Sequence, residues 1–174
     1  SFGPFYQPEP LLGALEDLVD PLFEPHFEDR LIRVLVRPDL QSDWLYPVIG
    51  RGWGAAEDHG TYTDRPLLGQ SAEILIRAST EQTFDLELQV ALILVPERDI
   101  WIKLNQERLR DERLMAEQQS HVIRIRNLRA RPGWNTLEIG TPQPPKSIAE
   151  IHGGSDRRPI SLLLRRLSIQ PTGE

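Results

Sequence analysis

Alternation with a period of two residues limits this chain more than any other feature. Phe84-Asp85-Leu86-Glu87-Leu88-Gln89-Val90 carries an apolar side chain at every second position. In an extended backbone such residues share one face. The pattern recurs over residues 31–36, 72–78, 100–104, 122–126, 134–139 and 160–169. Glycine, proline and asparagine separate these runs, as turns require. The charged stretch 107–119 reads as a short strand and an acidic turn. Seven or eight short strands with no intervening helix predict an all-β fold, a two-sheet antiparallel β-sandwich or jelly roll. The apolar run 91–95 predicts that the strand begun at Phe84 continues, buried on both faces.

Residues 11–19 add one short N-terminal helix. Their apolar positions have helical spacing behind Pro10, and Asp20-Pro21 ends the run. This helix either docks on a neighbouring domain or covers one end of its own core. The proline-rich residues 1–30 therefore form an N-terminal segment, and residues 31–170 form the sandwich domain.

The 174 residues include no cysteine, which excludes disulfides, thiol nucleophiles and cysteine-bound metals. A chain of this length buries about 70% of its unfolded surface, enough for a core without cross-links. The net charge is −6 and the basic residues are spread along the chain, a poor match to nucleic acid. No apolar run approaches the roughly 20 residues that cross a bilayer. Residues 1–10 lack a signal-peptide layout, so a cytoplasmic location without membrane insertion is expected. The start at Ser1, without methionine, predicts a domain taken from a longer protein or a chain whose start has been processed.

Residues 52–63, Gly52-Trp53-Gly54-Ala55-Ala56-Glu57-Asp58-His59-Gly60-Thr61-Tyr62-Thr63, concentrate glycines, aromatics and polar groups as no other stretch does. They open the first of four landmarks that span roughly residues 45–169. The others are Ile100-Trp101-Ile102-Lys103-Leu104-Asn105, Arg131-Pro132-Gly133-Trp134-Asn135-Thr136-Leu137-Glu138-Ile139, and Ser155-Asp156-Arg157-Arg158-Pro159-Ile160. In this order the landmarks resemble the jelly-roll modules appended to bacterial glycosyltransferases and other polysaccharide-biosynthesis proteins. Tyr62 stands where tryptophan is more usual, Gln106 replaces the glycine of an Asn-Gly turn, and Ile160-Ser161 stands where Leu-Gly is common. The resemblance implies a non-catalytic accessory module, shaped like a carbohydrate-binding module. Its ligand would be a glycan or polysaccharide chain, and its partner a glycosyltransferase domain.

Sugars are held by aromatic faces stacked on C–H patches, ringed by forked polar groups. Trp44, Tyr46, Trp53, Tyr62 and Trp101 supply faces; Arg51, Glu57, Asp58, His59, Asp64 and Arg65 supply polar groups nearby. Trp53, His59, Tyr62 and Trp101 are the expected ligand contacts. A structural alternative stands beside them. Trp53 between two glycines can plug the core, and Glu57 can pair with an arginine of Asp156-Arg157-Arg158. Glu57, Asp156 and Arg158 are thus the expected structural pin. Trp101 alternates with Ile100 and Ile102 and so belongs to an outer sheet face. Glu87, Gln89, Arg124 and Arg126 alternate in the same way, which predicts a polar groove floored by Trp101, or an ordinary solvated face.

Catalytic signals are absent. His26, His59, His121 and His152 have no metal-ligand spacing, and neither a nucleophile elbow nor a phosphate loop occurs. No cofactor and no resident metal is expected, although Asp58, Asp64 and Asp156 are the oxygens that would converge on a calcium ion. Two other functional classes remain open: a structural or oligomerisation module without a sugar ligand, and a hydrolase built on a sandwich.

Overall fold

A computed structural model describes residues 32–34, 45–118 and 120–172. The predicted helix 11–19, Trp44, His26 and the whole of the segment 1–30 lie outside them. The described elements are β1 (Ile32–Val34), β2 (Leu45–Ile49), β3 (Glu57–Asp58), β4 (Thr63–Leu68), β5 (Ser71–Ala78), β6 (Gln82–Ala91), β7 (Glu97–Leu104), β8 (Glu107–Met115), β9 (His121–Ala130), β10 (Gly133–Gly140), α1 (Ile148–His152) and β11 (Ile160–Pro171).

They form a two-sheet β-sandwich. One sheet has the order β3-β4-β11-β6-β9, with β1 alongside the later half of β11; the other has the order β2-β5-β10-β7-β8. Only β1 pairs in parallel; the other strand pairings are antiparallel. Alternation builds the core directly. Ile74, Ile76, Ile100, Ile102, Leu137 and Ile139 face Phe84, Leu86, Leu88, Leu162, Leu164 and Leu167 in one continuous cluster.

Two strands change phase partway. In β11, Leu162 and Leu164 point inward, and after a bulge Leu167 and Ile169 do so. In β9, Ile123 precedes a bulge opposite Phe84–Leu86, after which Leu128 and Ala130 are the buried residues. Asn127 sits at this second bulge with φ 55°, and its N–H donates to Asp85 Oδ1 at 2.9 Å. An extra residue on one strand bends it and re-aims the neighbouring side chains.

Three expectations are corrected. The strand begun at Gln82 ends at Ala91, and residues 92–95 turn a corner with Leu92 and Leu94 buried and Ile93 exposed. The groove uniting Trp101 with Glu87, Gln89, Arg124 and Arg126 does not exist, because β7 belongs to one sheet and β6 and β9 to the other. Parity reports which way a side chain points, but not which sheet carries it. The described helix is α1, which the sequence reading passed over. Its signal is a capping box: Ser147 Oγ accepts from Glu150 N at 3.2 Å, and Ser147 N donates to Glu150 Oε2 at 2.8 Å.

The loop between β10 and α1 is held from within. Arg98, only 2% exposed, donates to the carbonyls of Gln143 and Pro144, each at 3.1 Å. Burial pushes its guanidinium pKa down.

Candidate functional site

The segment 52–63 folds into a close-packed approach and a hairpin tip. Gly52 has φ 85°, and a Cβ there would lie 2.3 Å from the Ser71 carbonyl oxygen, so only glycine fits. Trp53 bridges to Leu67 and packs half-buried against the core. Its indole N–H donates to the Glu73 carbonyl at 2.8 Å. The hairpin β3–β4 follows. Asp58 Oδ1 accepts from Gly60 N at 2.8 Å, and His59 N donates to Tyr62 O at 2.9 Å. Gly60 supplies the positive φ, 80°, that this turn needs.

The hairpin register sets Glu57 opposite Asp64. Like charges directly opposite repel, and each here is matched by an arginine. Arg158 donates to Glu57, and its Nη2 lies 2.6 Å from Asp156 Oδ2. The Arg158 backbone N–H also reaches Asp156 Oδ1 at 3.0 Å. These bonds from Arg158 hold the Asp156 carboxyl down at about 2. Asp156 and Glu57 in turn keep the guanidinium charged well above the ordinary arginine range. The three residues join the loop after α1 to β3.

Arg165 serves the second carboxylate. It is the residue left over by the β11 bulge, between Leu164 opposite Val90 and Arg166 opposite Gln89. Its Nε donates to Asp64 Oδ1 at 3.1 Å, and Asp64 is only 3% exposed. The same guanidinium lies 4.7 Å from the centroid of the Tyr62 ring. His59 closes the group, with its ring centroid 4.9 Å from that of Tyr62 and its Nε2 3.7 Å from Asp64 Oδ2. Among the described residues no serine or threonine hydroxyl bonds to the His59 ring. Nor does any group of three or more histidine, aspartate or glutamate side chains there offer a metal site.

Trp101 is not part of this cluster. It lies on the outer face of the five-stranded sheet, packed over Gly140, its register partner. The Lys103 ammonium sits 4.1 Å from its ring centroid. On the same face, near the opposite end of β10, Trp134 is 55% exposed, and the Arg77 guanidinium lies 5.8 Å from its centroid. The sequence reading treated Trp134 as part of a landmark. Its placement between a turn glycine and an inward-facing asparagine was the available signal that it points outward.

The landmarks meet in pairs. The Glu57 loop meets the Asp156–Arg158 loop, and Asn105 meets Asn135 at 2.8 Å. Asn135 is fully buried and also binds both backbone polar groups of Arg131.

No protein-family model matches the sequence, and no curated protein is similar to it. Among solved structures, the chain is similar in architecture to a family 35 carbohydrate-binding module from Cellvibrio japonicus, with TM-score 0.47, 14% identity, and coverage of 75% of this chain and 93% of that one. It is similar also to the CBM36-1 domain of a xylanase from the hindgut metagenome of Trinervitermes trinervoides, with TM-score 0.46, 13% identity, and coverage of 75% and 98%. The GH26-CBM35 β-(1,4)-mannanase of Podospora anserina has TM-score 0.45 and 12% identity; 76% of this chain spans only 28% of that enzyme. Among the described residues no helix is long and apolar enough to cross a membrane.

Proposed function

We propose that this β-sandwich is a non-catalytic carbohydrate-recognition module. The observation that carries the reading is Tyr62, a residue 43% exposed at a hairpin tip, with its ring braced by Arg165. A fixed aromatic face loses little freedom when a sugar stacks on it. His59 lies beside that face, and the Asp64–Arg165 pair sits behind it. In this reading Tyr62 and His59 touch ligand, while Glu57, Asp156 and Arg158 pin the loop that presents them. Trp53 anchors the approach to the hairpin, and Trp101 is a separate contact on the other sheet.

The setting that fits such a module is bacterial polysaccharide biosynthesis. Beside a glycosyltransferase domain it would hold the growing glycan and raise its effective concentration. Calorimetric titration with fragments of the host's surface polysaccharide tests the function. Binding should weaken about tenfold in Tyr62→Ala, the cost of one lost aromatic contact. Absence of heat with every such fragment overturns the reading. A strict monomer that binds glycan excludes the oligomerisation alternative.

A further inference from the structure

We propose that the groove beside Trp134, on the outer face of the five-stranded sheet, is a second saccharide site, in which Glu73 and Glu138 accept hydrogen bonds from sugar hydroxyls. The groove encloses about 410 Å³. Trp134 gives it one large aromatic face. Every other lining side chain, from Glu73, Asn105, Gln106, Arg131, Thr136 and Glu138, ends in a hydrogen-bonding group or a hydroxyl. An apolar protein surface would find no match there beyond one ring. A pyranose presents C–H patches and hydroxyls together, and both are answered.

The carboxylates supply the acceptors for sugar hydroxyls. Glu73 stands directly opposite Glu138 in the β5–β10 register. Such a pair costs stability, and the fold tolerates it with Arg51 2.9 Å from Glu73 and Lys103 3.9 Å from Glu138. A local rule broken inside a groove points to use by a ligand. Carboxylates accept hydrogen bonds from sugar hydroxyls, and Arg131 in the same lining donates to them, so both sides of a hydroxyl's bonding are met.

The groove is rigid before any ligand arrives. Asn105 and Gln106 hold positive φ values of 51° and 72°, in a turn tied down by Asn135. Trp134 lies on the five-stranded sheet and Tyr62 at the tip of a hairpin of the other sheet. The proposal therefore shares only its ligand class with the hairpin reading.

The test is a calorimetric and amide-NMR titration of the chain with cellohexaose and a chitin hexamer, repeated on Trp134→Ala and Tyr62→Ala. The first or second probe should shift the amides of Asn105, Gln106 and Thr136. Trp134→Ala should weaken that binding about tenfold with an unchanged melting curve. Glu138→Ala, which removes one acceptor, should also weaken that binding. Unshifted groove amides, or an unchanged affinity in Trp134→Ala, overturn the groove. Binding lost only in Tyr62→Ala overturns it while sparing the hairpin reading.

Discussion

Asn105 Nδ2 donates to Asn135 Oδ1 at 2.8 Å, joining the β7–β8 turn to the first residues of β10. Asn135, itself fully buried, satisfies a cluster of polar groups. Its Oδ1 also accepts from Arg131 N at 2.9 Å, and its Nδ2 donates to Arg131 O at 2.8 Å. Replacing Asn135 with alanine strands these partners. An unsatisfied buried group costs about 1–3 kcal/mol, so Asn135→Ala should lose at least that much in urea unfolding. A loss below about 0.5 kcal/mol would show that water replaces the side chain.

The same turn predicts a gain. Gln106 holds φ 72°, a left-handed conformation that costs a non-glycine residue about 1–2 kcal/mol. Glycine removes that cost but adds about 0.4–1 kcal/mol of unfolded-state freedom. Gln106→Gly should therefore stabilise the fold by about 0.5–1 kcal/mol. An upward shift of the urea midpoint with an unchanged slope is the expected record.

What was legible in the sequence follows from these details. Alternation placed most strands, because apolar parity is a property of each strand alone. It could not assign strands to sheets, so Trp101 was grouped with residues of the opposite sheet. It missed β2 and β4, where Pro47 and Pro66 interrupt the strand signal. The bulges were also hidden. Nothing in Leu163-Leu164-Arg165-Arg166-Leu167 says which arginine is extra, yet that choice aims Arg165 at Asp64 and Tyr62. Trp134 escaped because its groove is assembled from two strands and two turns that are distant in sequence.

The Asp156–Arg158–Glu57 pin sets a pH response. Asp156 titrates at about 2 when folded, against an ordinary 3.8. A depressed carboxylate contributes stability above its unfolded pKa and loses it as pH falls through the folded value. The contribution is therefore complete above about pH 4 and gone below about pH 2. The Arg158 Hε resonance should follow Asp156 with a midpoint near 2. In Arg158→Met the Asp156 midpoint should return toward 3.8. A wild-type midpoint already near 3.8 would show that the pin does not form in solution.

Gly140 tests how Trp101 is held. A Cβ at Gly140 would sit 2.2 Å from Trp101 Cζ2, so Gly140→Ala must push the indole off the sheet. The displaced ring also loses its place beside the Lys103 ammonium, now 4.1 Å from its centroid. Overpacking of this kind costs about 1–3 kcal/mol, read in thermal or urea unfolding. The moved indole should change the tryptophan fluorescence, and a Trp101→Phe background should remove both effects because the smaller ring leaves room. If Gly140→Ala destabilises equally in that background, the cost lies in the backbone of β10 and not in the ring packed over it. If glycan affinity also falls in Gly140→Ala, Trp101 belongs to the binding surface; unchanged affinity would leave it a purely structural cover of the sheet.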